Sequence, residues 1–194
     1  MSYTYKGSTI LAPLTITSNE PILEVETVSL STQRASTNAQ RWELSFTVAN
    51  SGNDEAAALL GAVTNMALSE TMIMPQLPSV VAGNGLGASR GVQAGGSAGG
   101  TQVTVSLNGA LKAGSFIKFS NHDKVYMVLV DKTTGSRLIT VYPALRESVT
   151  TAHTFESGDN CVLTYYRDLS NLRGLTFVDG ILSNPGVISL KEAI

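Results

Sequence analysis

The 194-residue chain reads as an α+β protein that is mainly β, a sheet with one packed helix plus an inserted small β-barrel or β-sandwich-like subdomain. Three observations predict this class. Strict alternation over Arg41–Val48 gives way to an apolar stripe at helical spacing. Eight glycines then fall within residues 83–100. Beyond them, short apolar runs alternate with turn signals, as in small barrels and sandwiches. The predicted organisation is residues 1–82 with 167–194 as a sheet-plus-helix assembly domain, 83–100 as a glycine-rich linker loop, and 101–166 as the β insertion.

The elements follow in order. The Thr/Ser-rich start, interrupted by Pro13 and Pro21, predicts an arm or a short edge strand. Residues 22–30 are extended. Leu23 and Val25 share one parity and Val28 and Leu30 the other, which predicts a bulge near Glu26–Thr27. In the next strand Trp42, Leu44, Phe46 and Val48 point one way, with Trp42 as the core anchor. Ser51 and Asp54 stand at capping-box spacing, and a helix is predicted over 54–70 with Leu59, Leu60, Val63, Met66 and Ala67 on its apolar face. Asp54 and Glu55 sit where the helix dipole favours negative charge.

In the second section Val103, Val105 and Leu107 alternate with polar residues. Asn108-Gly109 and Ala113-Gly114 mark turns. Strands are predicted over 116–119, 124–131 and 137–142, with turns at 121–123 and 132–136. The nearly continuous apolar run Val125–Val130 predicts a central strand. A further strand is predicted over Cys161–Tyr166. The tail carries turn signals at Asp179-Gly180 and Asn184-Pro185-Gly186, then a last strand near Val187–Leu190.

Composition narrows the function classes. Hydrophobic residues make up 43% of the chain, enough for a sizeable core. Only 14% of residues are charged, against about a quarter in typical chains, and the balance is Ser, Thr, Asn and Gly. Such a surface is cheap to desolvate and suits extensive contacts with other subunits. The formal net charge is −2, with three basic and seven acidic residues over 1–82 and ten basic and eight acidic after that. No Lys/Arg cluster offers a phosphate-neutralising surface, so nucleic-acid recognition is not expected. No run of about 18 apolar residues marks a membrane span, and the N-terminus reads as lacking a secretory signal. A protein made in the cytoplasm is expected.

Candidate chemistry is sparse. His122 and His153 fall in turn or loop segments without ligand spacing. Cys161 is the sole cysteine and reads as a small buried hydrophobe rather than a nucleophile. Glu24 and Glu26 on one strand face are the carboxylates a glycosidase would need, but that spacing more often marks the solvent side. Asp131 reads as the cap of the turn to Thr133-Thr134. Gly83-Asn84-Gly85-Leu86-Gly87 resembles part of a dinucleotide fingerprint, yet Ala88 and Arg90 follow and no helix or Gly-Lys-Ser/Thr does. No residue is assigned a catalytic, cofactor-binding or metal-binding role, and no cofactor is expected.

Arg41-Trp42-Glu43-Leu44-Ser45-Phe46, Leu111-Lys112-Ala113-Gly114-Ser115-Phe116, Lys124-Val125-Tyr126-Met127-Val128 and Val141-Tyr142-Pro143-Ala144-Leu145-Arg146 together carry a family likeness. Over roughly residues 25–165 the chain resembles small bacteriophage tail proteins of distal-tail or baseplate-hub type. Ser115 replaces the acid usual there, and residues 167–194 match nothing in the pattern. The resemblance implies a non-enzymatic virion component, ring-forming, that docks on the tail tube and joins it to baseplate proteins. Its partners would be copies of itself and tube and baseplate or hub proteins. The alternatives are a head–tail connector or neck protein, a sheath-to-baseplate linker, a carbohydrate-binding module with Tyr126, Tyr142, Tyr165 or Tyr166 lining a groove, and a cell-wall hydrolase using Glu24, Glu26 or Asp131.

Overall fold

The computed structural model describes residues 3–26, 28, 30, 32–37, 39–49, 53–64, 69–77, 79–80, 90–133, 135–168, 176–178, 181–184 and 186–194. Among the described residues the fold is mixed α+β, mostly β, with a packed helix and a closed six-stranded barrel. Backbone contacts divide the chain into two units, one of residues 1–17, 42–73 and 163–194, the other of 18–41 and 74–162.

The first unit is built on β1 (Thr4–Tyr5), β2 (Ser8–Asn19), β5 (Arg41–Val48), β6 (Glu70–Ile73), β13 (Val162–Arg167) and β16 (Ile188–Glu192), in the order β1-β2-β5-β16-β13-β6. β5 behaves as its alternation predicts: Trp42, Leu44, Phe46 and Val48 are buried and their neighbours half-buried. β16 pairs with it antiparallel, Ile188 opposite Phe46 and Leu190 opposite Leu44, so both strands send apolar side chains to one core. The Trp42 N–H donates to buried Glu192 Oε2 at 3.0 Å. The sheet curls enough for its two ends to touch. Lys6, just past β1, pairs with Glu70 of β6 at 2.9 Å, and the Tyr165 hydroxyl donates to the same Glu70 oxygen at 2.9 Å. Tyr5 stacks edge-on against Phe46 with centroids 5.4 Å apart. The helix α1 (Asn53–Thr64) buries Ala56, Leu59 and Ala62, one turn apart on one face.

Several boundaries differ from the sequence reading. Leu60 is exposed, so the buried helix face runs through the small alanines instead. Glu70 begins β6, because a sheet position beside Tyr165 satisfies it. The predicted cap at Ser51, and Met66 and Ala67, lie outside the described residues. The N-terminal segment is neither an arm nor a short strand: β2 runs for 12 residues. Strand 161–166, read into the insertion, is β13 and pairs with β16, Tyr165 opposite Glu192. The Asp179-Gly180 turn is outside the described residues, between β14 (Thr176–Val178) and β15 (Ile181–Asn184), which pair antiparallel.

The second unit holds the barrel. β7 (Arg90–Ala94), β8 (Gln102–Leu107), β9 (Phe116–Phe119), β10 (Val125–Val128), β11 (Gly135–Tyr142) and β12 (Thr154–Ser157) close in the order β10-β11-β8-β7-β12-β9. A closed ladder has no central strand, so the expectation for Val125–Val130 is corrected. Val125, Tyr126 and Val128 are buried, whereas Leu129 and Val130 follow the strand and are exposed. The interior is filled by Val92, Val103, Val105, Ile117, Phe119, Tyr126, Val128, Ile139, Val141 and Phe155 among others. A small barrel is thus a packed core with no channel.

The segment read as a linker contributes a strand. β7 pairs with β8 and β12, and Gly96 forms a bridge with Val149. A Cβ on Gly95 would land on the Val149 carbonyl oxygen, and one on Gly96 would sit 2.6 Å from both Gln102 O and Leu145 Cδ1. These glycines serve close backbone approach, not flexibility. The rest of the linker, 83–89 with Gly83, Gly85 and Gly87, lies outside the described residues. β3 (Ile22–Glu26) and β4 (Thr32–Ser36) form a separate antiparallel ribbon, Glu24 opposite Arg34. The parity switch after Glu26 therefore marks the end of a hairpin strand, not a bulge, with Val28 and Leu30 in the connection.

Gly95→Ala should cost about 2 kcal/mol or more through forced backbone displacement. Gly91→Ala, where the new methyl meets nothing within 4 Å, should stay within about 0.5 kcal/mol. Urea unfolding of both variants checks this contrast.

Candidate functional site

The residues with chemical potential are dispersed. His122 sits in the turn after β9, its Nε2 2.7 Å from the Tyr126 hydroxyl, which also accepts the Arg146 N–H at 3.0 Å. The rings of His122 and Tyr126 meet edge to face at 5.5 Å, so the pair braces the β9–β10 turn over the barrel core. Burial holds the His122 imidazole below its usual range, opposed by Glu147 and Asp123 and assisted by Arg146 and His153. His153 is engaged elsewhere, its Nδ1 accepting the Thr150 N–H at 3.0 Å. Cys161 is fully buried, which denies a substrate access to its sulfur.

The carboxylate candidates are not brought together. Glu24 is paired with Arg34 at 3.0 Å on the exposed ribbon, and Glu26 is exposed two residues on. Thr134 of the turn assigned to Asp131 lies outside the described residues, and Asp131 serves a second turn. It accepts the Ala113 N–H at 2.7 Å and Lys112 at 3.0 Å, holding the Leu111–Gly114 turn, and these two donors depress its pKa. Of the tyrosines offered for a groove, Tyr126 and Tyr165 are buried and Tyr166 is exposed. Among the described residues no group of three or more His, Cys, Asp or Glu comes together, and no helix is long and apolar enough to cross a membrane. A cleft of about 420 Å³ opens beside the β9–β10 turn, lined by Lys118, Ser120, Asn121, His122, Asp123 and Glu156. Its Lys118 and Asp123 neutralise each other at 2.7 Å.

The feature sequence reasoning missed is the β3–β4 ribbon. Every residue of β3 is exposed, with Leu23 64% and Val25 62% accessible, and Ile22, Val28 and Leu30 are exposed as well. A lone two-stranded hairpin is marginal in water, and these apolar side chains gain nothing from it. The root of the ribbon is built differently. The Tyr142 hydroxyl donates to Glu20 Oε2 at 2.7 Å and lies 2.8 Å from Ser18 Oγ, which in turn accepts from buried Gln40 Nε2 at 2.9 Å. Desolvation first, and the Glu20 carboxylate with it, raises the Tyr142 pKa, so the hydroxyl remains a donor. The parity signal at Glu26–Thr27 pointed to this hairpin, but only pairing with Thr32–Ser36 reveals it.

The arrangement sets an exposed apolar ribbon in the same unit as a closed barrel. Residues 80–159 match the family model described as distal tail protein pb9, B domain. The matched stretch takes in all six barrel strands and covers 80 of 194 residues, so the likeness to a phage tail protein belongs to this part of the chain. A search of curated proteins finds no match.

Because the folded His122 pKa lies below its unfolded value, the unfolded chain binds more protons at mildly acidic pH. Stability should therefore fall as pH drops below about 6.5 and level off once the folded pKa is passed. His122→Gln should flatten that part of the profile, measured by denaturant midpoint against pH.

Proposed function

We propose that the protein is a non-enzymatic structural component of a bacteriophage tail, a ring-forming distal-tail or baseplate protein that docks on the tail tube and connects it to neighbouring baseplate proteins. The observation that carries this reading is the match of residues 80–159 to a distal tail protein domain, coincident with the closed barrel.

The ribbon supports it energetically. Burying a Leu, Ile or Val side chain contributes about 1.5–3 kcal/mol. Five such side chains at Ile22, Leu23, Val25, Val28 and Leu30 reach the scale of the roughly 4–15 kcal/mol that association costs. A ribbon on one copy and a receiving surface elsewhere on the next make a heterologous contact, the geometry that closes into rings. The dispersal of His122, Cys161, Glu24, Glu26 and Asp131 fits a task done by contact rather than by bond chemistry.

Purified protein should elute as a symmetric oligomer whose mass by light scattering is an integral multiple of the chain, and antibody labelling should place it at the distal end of virion tails. Val25→Asp with Val28→Asp should lower the oligomer fraction at least about tenfold at fixed concentration while leaving the melting temperature of the monomer unchanged. A strictly monomeric protein absent from purified virions would sink the proposal.

A further inference from the structure

Resting on the ring reading, we infer that the β3–β4 ribbon of one copy seats against the outer face of β10 and β11 on the barrel of the next copy. The motivating juxtaposition is a second exposed apolar patch with the opposite charge. The Leu129 N–H donates to the Thr140 carbonyl at 2.9 Å, extending the β10–β11 ladder past Val128. Leu138 lies two residues before Thr140 with the same parity, which makes it the diagonal neighbour of Leu129 on the outer face. Leu129, Leu138 and the adjoining Val130 are all close to half exposed.

The charges complement each other. Lys132 and Arg137 flank the barrel patch and make no ion pair among the described residues, and Asp131 beside them is taken by Lys112. On the ribbon, Arg34 is taken by Glu24, whereas exposed Glu26, between Val25 and Val28, makes no ion pair among the described residues. On each surface exposed apolar side chains stand next in sequence to charge of one sign, acidic on the ribbon and basic on the barrel, with Glu26 on the face of Ile22 and Glu24 rather than that of Leu23 and Val25. The barrel closes its ladder, so it has no strand edge to offer and must receive the ribbon through side chains. Such charges at the rim fix register and suppress wrong pairings.

A charge-reversal cycle on the full chain tests the pairing, with association followed by sedimentation and folding checked by circular dichroism. Glu26→Lys alone, and Lys132→Glu with Arg137→Glu, should each weaken association at least about tenfold, because like charges then face each other. Combining the two sets should restore it to within about threefold of the starting protein. Leu138→Asp should weaken association without any rescue by Glu26→Lys beyond threefold. If the wild type associates but ignores these substitutions, or if the combined variant stays as weak as its parents, the ribbon–barrel pairing is overturned while the ring reading stands. If the wild type is monomeric at every concentration, both fall.

Discussion

Closure of the strand ladder is the constraint from which the barrel unit follows. Six short strands, several of only four residues, have too little pairing each to hold a flat sheet. Joined end to end they leave no edge, and every inward side chain from Val92 to Phe155 faces one dry core. The seam is where β7 and the strand-like Gly95–Gly96 stretch pass against Val149, and only glycine lets the backbones meet there. Once the interior is filled and the edges are gone, the surface available for function is the outside of the wall and what projects from it.

The first unit solves the same edge problem by another route. Its sheet is open in hydrogen bonding, yet Glu70 receives both Lys6 and Tyr165, so side chains join the end strands. Burial raises the Tyr165 pKa strongly, with Tyr5 and Glu70 adding to the effect, which keeps its hydroxyl protonated and donating. A carboxylate that accepts from an ammonium and a phenol is well supplied with donors, which is what burial of its surroundings demands.

Much of the fold was readable from the amino acids where one physical signal dominated. Trp42 to Val48 alternates without exception, and the strand, its faces and the buried tryptophan all follow from that. Val103, Val105 and Leu107 are equally clear. The reading went astray where signals competed. Arg90-Gly91-Val92-Gln93-Ala94 holds one core side chain amid glycine and polar residues, so composition spoke for a linker while long-range pairing made a strand. Val125–Val130 looked uniformly buried, because hydrophobicity alone does not show that a strand ends at Val128. The ribbon was least visible of all. Its apolar residues obey no burial rule among the described residues, so periodicity had no buried face to report.

The hydrogen bonds of Tyr142 at the ribbon root bear on how load would travel. Tyr142 belongs to β11, a strand stitched into the barrel on both sides, and its hydroxyl grips Glu20 and Ser18 where the ribbon leaves. A pull on the ribbon is therefore delivered to the barrel wall as shear across several paired backbone hydrogen bonds, rather than spent on straightening a loose tether. In the ring proposed above, a ribbon anchored in this way would hand a pull on to the barrel that carries it.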